Sequence, residues 1–170
     1  VYTATLEQED PILSLYLPDG GHLSHGWVLP DGKPVSFTGK IFHSHFYNVS
    51  TDTGLIDYDE IRTKALKIKP KLIISGGTAY PRIIDFKKLS EIAHEVGARY
   101  MADVAHESGL IAGSSYPSPF EYADIVTMTT RKTLRGPIGA LIFSKEPEIA
   151  DKIDRAVFPG LQGGPMINSI

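Results

Sequence analysis

The chain has 170 residues, 42% hydrophobic and 22% charged, a balance typical of one globular domain. A net charge of −3 gives no electrostatic basis for binding nucleic acid or an anionic membrane, no apolar run approaches the roughly 20 residues of a membrane helix, and no signal peptide opens the sequence. The absence of cysteine excludes a disulfide framework and cysteine-ligated zinc or iron–sulfur sites, and fits a cytoplasmic location.

The sequence lacks an initiator methionine, opens on VYTATLEQED as if inside a helix, and stops at GGPMINSI without a cap, so residues 1–170 read as part of a longer protein. A first strand is expected over 11–17 (PILSLYL), followed by the glycine-rich stretch DGGHLSHG and a turn-rich insertion, WVLPDGKPVS, that reads as a hairpin on the rim. A second strand is expected over 41–49, where His43 and His45 alternate on one face as a half-exposed surface pair; no metal site is assigned to them. Residues 58–68 carry Ile61, Ala65 and Ile68 at helical spacing behind the N-cap Asp57, and KIKPK marks the exposed end of that helix.

The apolar run LIIS (72–75) is the third strand, and SGGTAYPR follows it. A helix over 86–96 presents Leu89, Ile92, Ala93 and Val96 on one face, with Asp85 at its N-cap, Gly97 at its C-terminus and a solvated His94. Strands are expected over 99–102 (RYMA), 125–129 and 140–143 (ALIF), and a last helix from Glu146 to about Ala156. Near-continuously apolar strands alternating with helices predict an α/β fold: a mostly parallel sheet covered by helices on both faces. In such sheets ligands sit beyond the carboxyl ends of the strands, so the residues that follow each strand belong together.

Those residues carry the chemistry. Asp103 ends one strand and Lys132 lies just past the next, 29 residues later. An aspartate beside a lysine is most often only an ion pair. The rest of this edge points further: His22 lies in a glycine-rich loop, Thr78 follows Gly76 and Gly77, and His106 is three residues past Asp103. Gly163 and Gly164 offer unhindered backbone N–H groups suited to an anion. A nucleophilic amine, an acid for a ring nitrogen, a flat imidazole and a phosphate cradle are the requirements of pyridoxal 5'-phosphate.

Five motifs, DGGHLSHG, SGGTAYPRIIDF, ADVAHESGLIAG, VTMTTRKTLRGP and FPGLQGGP, resemble those of serine hydroxymethyltransferase in order and spacing. The resemblance runs through essentially the whole chain. It implies a central segment of the large domain of a fold type I pyridoxal-phosphate enzyme, without the N-terminal segment and the C-terminal small domain. The implied reaction moves the hydroxymethyl group of serine reversibly to tetrahydrofolate through a pyridoxal-phosphate aldimine, giving glycine and 5,10-methylenetetrahydrofolate. Another fold type I enzyme (a threonine aldolase or an aminotransferase) and a cofactor-dead binding scaffold are the alternatives, and LPDGGHL argues against the first two.

By resemblance, Lys132 is the Schiff-base lysine, Asp103 the partner of the pyridine nitrogen, and His22 the imidazole stacked on the ring. His106 lies near the cofactor's phenolic oxygen and the substrate. Thr78 stands where the family usually has a cofactor-contacting serine, and Thr129 is a hydroxyl beside the lysine. Leu17, Gly21, His22 and Leu23 match the stretch that lies along bound tetrahydrofolate. Gly163 and Gly164 match the loop that binds the phosphate of a neighbouring subunit's cofactor, which implies a homodimer with shared active sites and an inactive isolated segment. Two positions depart from the family pattern: Arg131 replaces the usual histidine before the lysine, and Ile138 replaces an arginine after Gly136-Pro137.

Overall fold

A computed structural model describes residues 1–164 and 167–169; Pro165, which ends the last of the five motifs, lies outside them. In chain order the main elements are α1 (Tyr2–Thr5), β1 (Pro11–Leu15), α2 (Phe37–Ile41), β2 (His43–Tyr47), α3 (Tyr58–Ile68), β3 (Leu72–Ser75) and α4 (Phe86–Glu95). Then follow β4 (Arg99–Asp103), α5 (Ser108–Ala112), β5 (Ile125–Thr129), β6 (Ala140–Ser144) and α6 (Pro147–Arg155). The strands form one six-stranded sheet in the order β2-β1-β3-β4-β5-β6. All neighbours are parallel except β5 and β6.

The period-2 geometry of a strand sorts the apolar residues into two cores. Leu13, Leu15, Ile73, Tyr100, Ala102 and Val126 pack on one face with Ile61 and Ala65 of α3 and Leu89 and Ala93 of α4. Ile12, Leu72, Ile74, Met101 and Ile125 pack on the other with Ile149 and Ile153 of α6. The covered, mostly parallel α/β sheet expected from the sequence is therefore the fold. β3 and β5 occupy the expected residues, and Asp57 and Asp85 cap α3 and α4, accepting from the backbone N–H groups of Asp59 and Glu60 and of Lys88.

Four features differ from these expectations. β1 stops at Leu15 because Leu17–Asp19 winds into a tight turn with Pro18 near its start, and Gly20 closes it at φ +107°. The second strand begins only at His43, since Phe37–Ile41 forms a short helix whose N-cap, Ser36, accepts from the Gly39 N–H. α5 spans five residues, too few to display a periodicity in sequence. β6 runs antiparallel at the sheet edge with Leu141 and Phe143 partly exposed. The rim insertion does fold back on itself through a Val28–Pro34 bridge, and Trp27 is buried against Tyr16 and Phe46.

The chain leaves β1 first outward to β2 and then to β3 on the other side. β1 and β3 therefore flank a topological switch point, where loops at the carboxyl ends diverge and leave a crevice.

Candidate active site

The loops after β1 and β3 are tied together at that crevice. The Gly20 carbonyl accepts from the Thr78 N–H at 2.8 Å and from the Ala79 N–H at 3.2 Å. Beyond Gly21 the chain forms a second tight turn, Leu23–His25, with His22 at its N-cap accepting from the Ser24 N–H through Nδ1. Two buried hydroxyls hold this turn down. Ser14 of β1 donates to the His25 carbonyl at 2.8 Å, and Thr38 of α2 donates to the Ser24 carbonyl while accepting from the Gly26 N–H.

Asp103, the last residue of β4, lies opposite Thr127 of β5. One carboxylate oxygen, Oδ1, accepts from the Ala105 N–H at 3.0 Å; the other, Oδ2, lies 3.0 Å from Nε2 of His25, whose side chain is 1% exposed. Past β5, the loop carrying Lys132 is fixed by Thr133, which donates to the His106 carbonyl at 2.7 Å and accepts from the Gly109 N–H at 2.9 Å. Lys132 Nζ lies 3.0 Å from His106 Nε2. A lysine ammonium can only donate, so Nε2 of His106 is the acceptor and carries no hydrogen.

These groups open onto one cavity of about 450 Å³, within the range of small-molecule sites. Its walls include His22, Asp103, His106, Thr129 and Lys132, together with Tyr2, His25, Gly77 and Arg131. Other residues singled out in the sequence lie away from it. Thr78 is exposed beyond Gly77, Leu17 and Gly21 stay in the turn beneath, and Leu23 is 48% exposed beside His22. Gly163 and Gly164 are exposed with open space where a side chain would stand. Ile138 is 80% exposed and does not line the cavity, whereas Arg131 does.

The electrostatics follow from burial and these contacts. Burial opposes ionisation of Asp103, but the hydrogen bond and electrostatic attraction of the His25 ring, the Ala105 N–H and, last, the electrostatic attraction of the His22 ring outweigh it and hold the carboxyl below its ordinary value. Burial lowers the pKa of His22, and His25, Lys132 and His106 lower it further. Burial and then the Lys132 charge lower that of His106. Both imidazoles are therefore neutral near pH 7.

Sequence reasoning passed over three residues here. His25 is the buried partner of Asp103; the signal was the second histidine of HLSHG, which nothing local distinguishes from the first. Tyr2 lines the cavity and donates to the Ser24 carbonyl at 2.9 Å. Glu107 has a buried Oε2 without a hydrogen-bond partner among the described residues, and burial raises its pKa.

The whole chain, residues 1–170, matches the family model for serine hydroxymethyltransferase. Proteins named serine hydroxymethyltransferase from a Nitratiruptor species, Methanosarcina barkeri and Mesoplasma florum are 53%, 52% and 52% identical to it over 170 residues. The alignments cover 100% of this chain and 39%, 40% and 40% of those proteins. The chain thus spans about two fifths of the length of these curated relatives.

Proposed function

Since the chain belongs to the serine hydroxymethyltransferase family, we propose that it forms the central part of the large domain of a pyridoxal-phosphate enzyme that exchanges serine and tetrahydrofolate for glycine and 5,10-methylenetetrahydrofolate. The observation that carries the proposal is that Asp103 and Lys132 share one cavity and are not spent on each other: the carboxylate is paired with His25 and the amine with His106.

The residues suit the cofactor. Lys132 is the covalent anchor. Asp103, ionised and partly open to the cavity, is the counter-charge for a protonated ring nitrogen, and His22 is the flat partner for the ring. Pyridoxal phosphate, when bound, supplies an electron sink for bond cleavage at the amino acid's α-carbon. His106 Nε2, unprotonated and 3.0 Å from Lys132 Nζ, is placed to take a proton from the amine. Thr129, which donates to the Ala105 carbonyl at 3.5 Å, braces the two strand ends that carry Asp103 and Lys132.

Tetrahydrofolate is assigned to the stretch that holds Leu17, Gly21, His22 and Leu23, of which the half-exposed Leu23 offers apolar area next to the cavity. Thr78, just beyond the Gly77 wall, is assigned to the cofactor's edge. Gly163 and Gly164 lie outside the cavity, and their accessible backbone supports a role in binding the phosphate of a second subunit's cofactor in a homodimer. No helix among the described residues is long and apolar enough to cross a membrane.

Borohydride trapping of pyridoxal phosphate on the full-length protein, followed by peptide mass mapping, tests the assignment. The label is expected on Lys132, whose neighbours Arg131 and Thr133 carry no primary amine. A label on Lys145 or Lys40 would overturn it.

A further inference from the structure

The backbone pairing of β1 with β2 ends where the Tyr16 N–H donates to the Tyr47 carbonyl at 2.9 Å. Past that point the two chains separate. One winds into the tight turn Leu17–Asp19, and the other runs on through Asn48 and Val49. Asp19 bridges the gap with its side chain. Its Oδ2 accepts from the Val49 N–H at 2.9 Å and from the Asn48 side-chain amide at 3.0 Å, 30 and 29 residues away in sequence. Bonds to a carboxylate are stronger than neutral ones, and two donors on one oxygen fix it in two directions. The β2 end is itself secured, because Lys64 of α3 donates to the Phe46 carbonyl at 3.0 Å and pairs with Glu60 at 2.7 Å.

The next residue holds the turn from the opposite side. Gly20 stands at φ +107°, and its carbonyl accepts from the Thr78 and Ala79 N–H groups of the loop after β3. No slack separates the two loops. A Cβ on Gly20 would lie 2.6 Å from the Tyr80 nitrogen, and one on Gly77, a wall of the cavity, would strike the Gly20 carbonyl oxygen. Backbone packed this closely passes a shift on. Movement of the turn at Asp19 therefore reaches the Gly77 wall, and it also reaches Gly21, His22 and Leu23, which follow directly in the chain.

Asn48 and Val49 are only partly buried, so water can replace the carboxylate at both donors. Little stability depends on the bridge, and its consequence is geometric. Asp19 does not line the cavity, which leaves it to act through the residues on either side of it.

We propose that Asp19 is a positioning residue for tetrahydrofolate: by tying the turn after β1 to the end of β2, it holds residues 17–23 in a fixed relation to the Gly77 wall. The role rests on the reading of residues 17–23 as the folate surface. Asp103 and Lys132 follow β4 and β5, on the far side of β3 from this bridge. Loss of Asp19 therefore acts on folate more than on serine.

The test compares Asp19→Ala, which removes the acceptor, with Asp19→Asn, whose amide oxygen can still accept, in the full-length protein loaded with pyridoxal phosphate. In Asp19→Ala the KM for tetrahydrofolate is expected to rise about tenfold, the effect of losing one hydrogen bond to a charged group. The dissociation constant of serine, measured without folate, is expected to stay within about twofold of wild type, as for sites that share no partner. Amide exchange at Thr78 and Ala79, whose N–H groups bond to Gly20 and not to Asp19, is expected to quicken by about tenfold, with α4 unchanged as the reference. Asp19→Asn is expected to fall between Asp19→Ala and wild type. If Asp19→Ala fails to fold, Asn48→Ala removes one of the two donors from the other side and is expected to give smaller changes in the same direction.

Exchange at Thr78 and Ala79 that matches wild type, or folate and serine constants that rise together, would overturn the role. A wild-type protein that binds no tetrahydrofolate would sink the folate reading of residues 17–23, while the exchange rates would still decide whether Asp19 holds the turn.

Discussion

Gly76, the first residue after β3, links the packing of the sheet to the site, and Gly76→Ala is the most direct test of that link. Its backbone stands at φ +98°, and a Cβ built on it would lie 2.8 Å from the carbonyl carbon of Asp103 and closer still to the carbonyl oxygen. Reaching the ordinary contact distance of 3.4 Å from the carbonyl carbon alone requires the two strand ends to part by about 0.6 Å, and the closer carbonyl oxygen requires more. The neighbouring atoms are backbone, so no side chain can swing aside, and close-packed interiors pass such strain on. A left-handed conformation costs alanine about 1–2 kcal/mol, and overpacking adds about 1–3 kcal/mol. The expected loss is about 2–5 kcal/mol, a large part of the roughly 5–15 kcal/mol that holds a typical domain together. Movement of Asp103 by half an ångström or more is also expected to lower turnover by about 10- to 100-fold in whatever protein remains folded. Urea unfolding of the full-length protein measures the first effect, and pyridoxal-phosphate affinity with serine cleavage measures the second. A variant within about 0.5 kcal/mol of wild type and with unchanged affinity would refute the reasoning, for it would mean that the β3 and β4 ends can separate without cost.

Two further predictions concern charge. Arg131 lines the cavity, and Arg131→His exchanges its fixed cation for a titratable ring; turnover is expected to hold or rise, and a large drop in steady-state rate would reveal a required role for the guanidinium. His22 and His106 both have folded pKa values below the ordinary 6.5. In the window just below that value the unfolded chain binds more protons than the folded one, so their contribution to stability is complete above it and is lost as pH falls through the folded values. Glu107 has the opposite sign: its pKa is raised above 4.5, so it erodes stability as pH rises through that range. Melting temperatures of the wild type and of a His22→Gln/His106→Gln variant, compared between pH 7 and pH 5, check the histidine contribution. Equal pH slopes in the two proteins would contradict it.

Much of the fold was legible because each signal was local. LIIS is buried throughout, and the run from Ile125 to Thr129 is buried at Ile125, Val126 and Met128, so their largely apolar character marked both their type and their limits. Asp57 and Asp85 act on backbone donors two or three residues away, which is why a cap can be read from sequence. The antiparallel direction of β6 depends on how the 130–139 loop turns back, and no residue pattern records it. The site divides in the same way. Asp103, Lys132, His106, His22 and Thr129 follow strand ends and reach one cavity because the topology puts all carboxyl ends of the parallel strands on one side. The pairing within the site depended on side-chain reach across long separations. Lys132 finds His106, 26 residues away, and Asp103 finds His25, 78 residues away; sequence spacing suggested neither.

The bland reading of Asp103 and Lys132 was an ion pair, and the way the structure avoids one bears on what the site can do. A carboxylate and an ammonium 4 Å apart attract by about 4 kcal/mol at the effective dielectric of a partly buried site. A ligand seeking either charge would first have to overcome that attraction. Here each charge is given a histidine instead, and the two histidines play opposite parts. His25 donates to the carboxylate and is almost wholly buried behind it; His106 accepts from the amine on the more open side of the same cavity. A donor behind Asp103 keeps it ionised without filling its open side, which remains 20% exposed. An acceptor beside Lys132 orients the amine without neutralising it and provides an atom to which its proton can pass. The cavity therefore keeps an unspent negative charge and an unspent amine on adjacent strands, and a flat ligand with a cationic ring nitrogen and an electrophilic carbon could engage both at once.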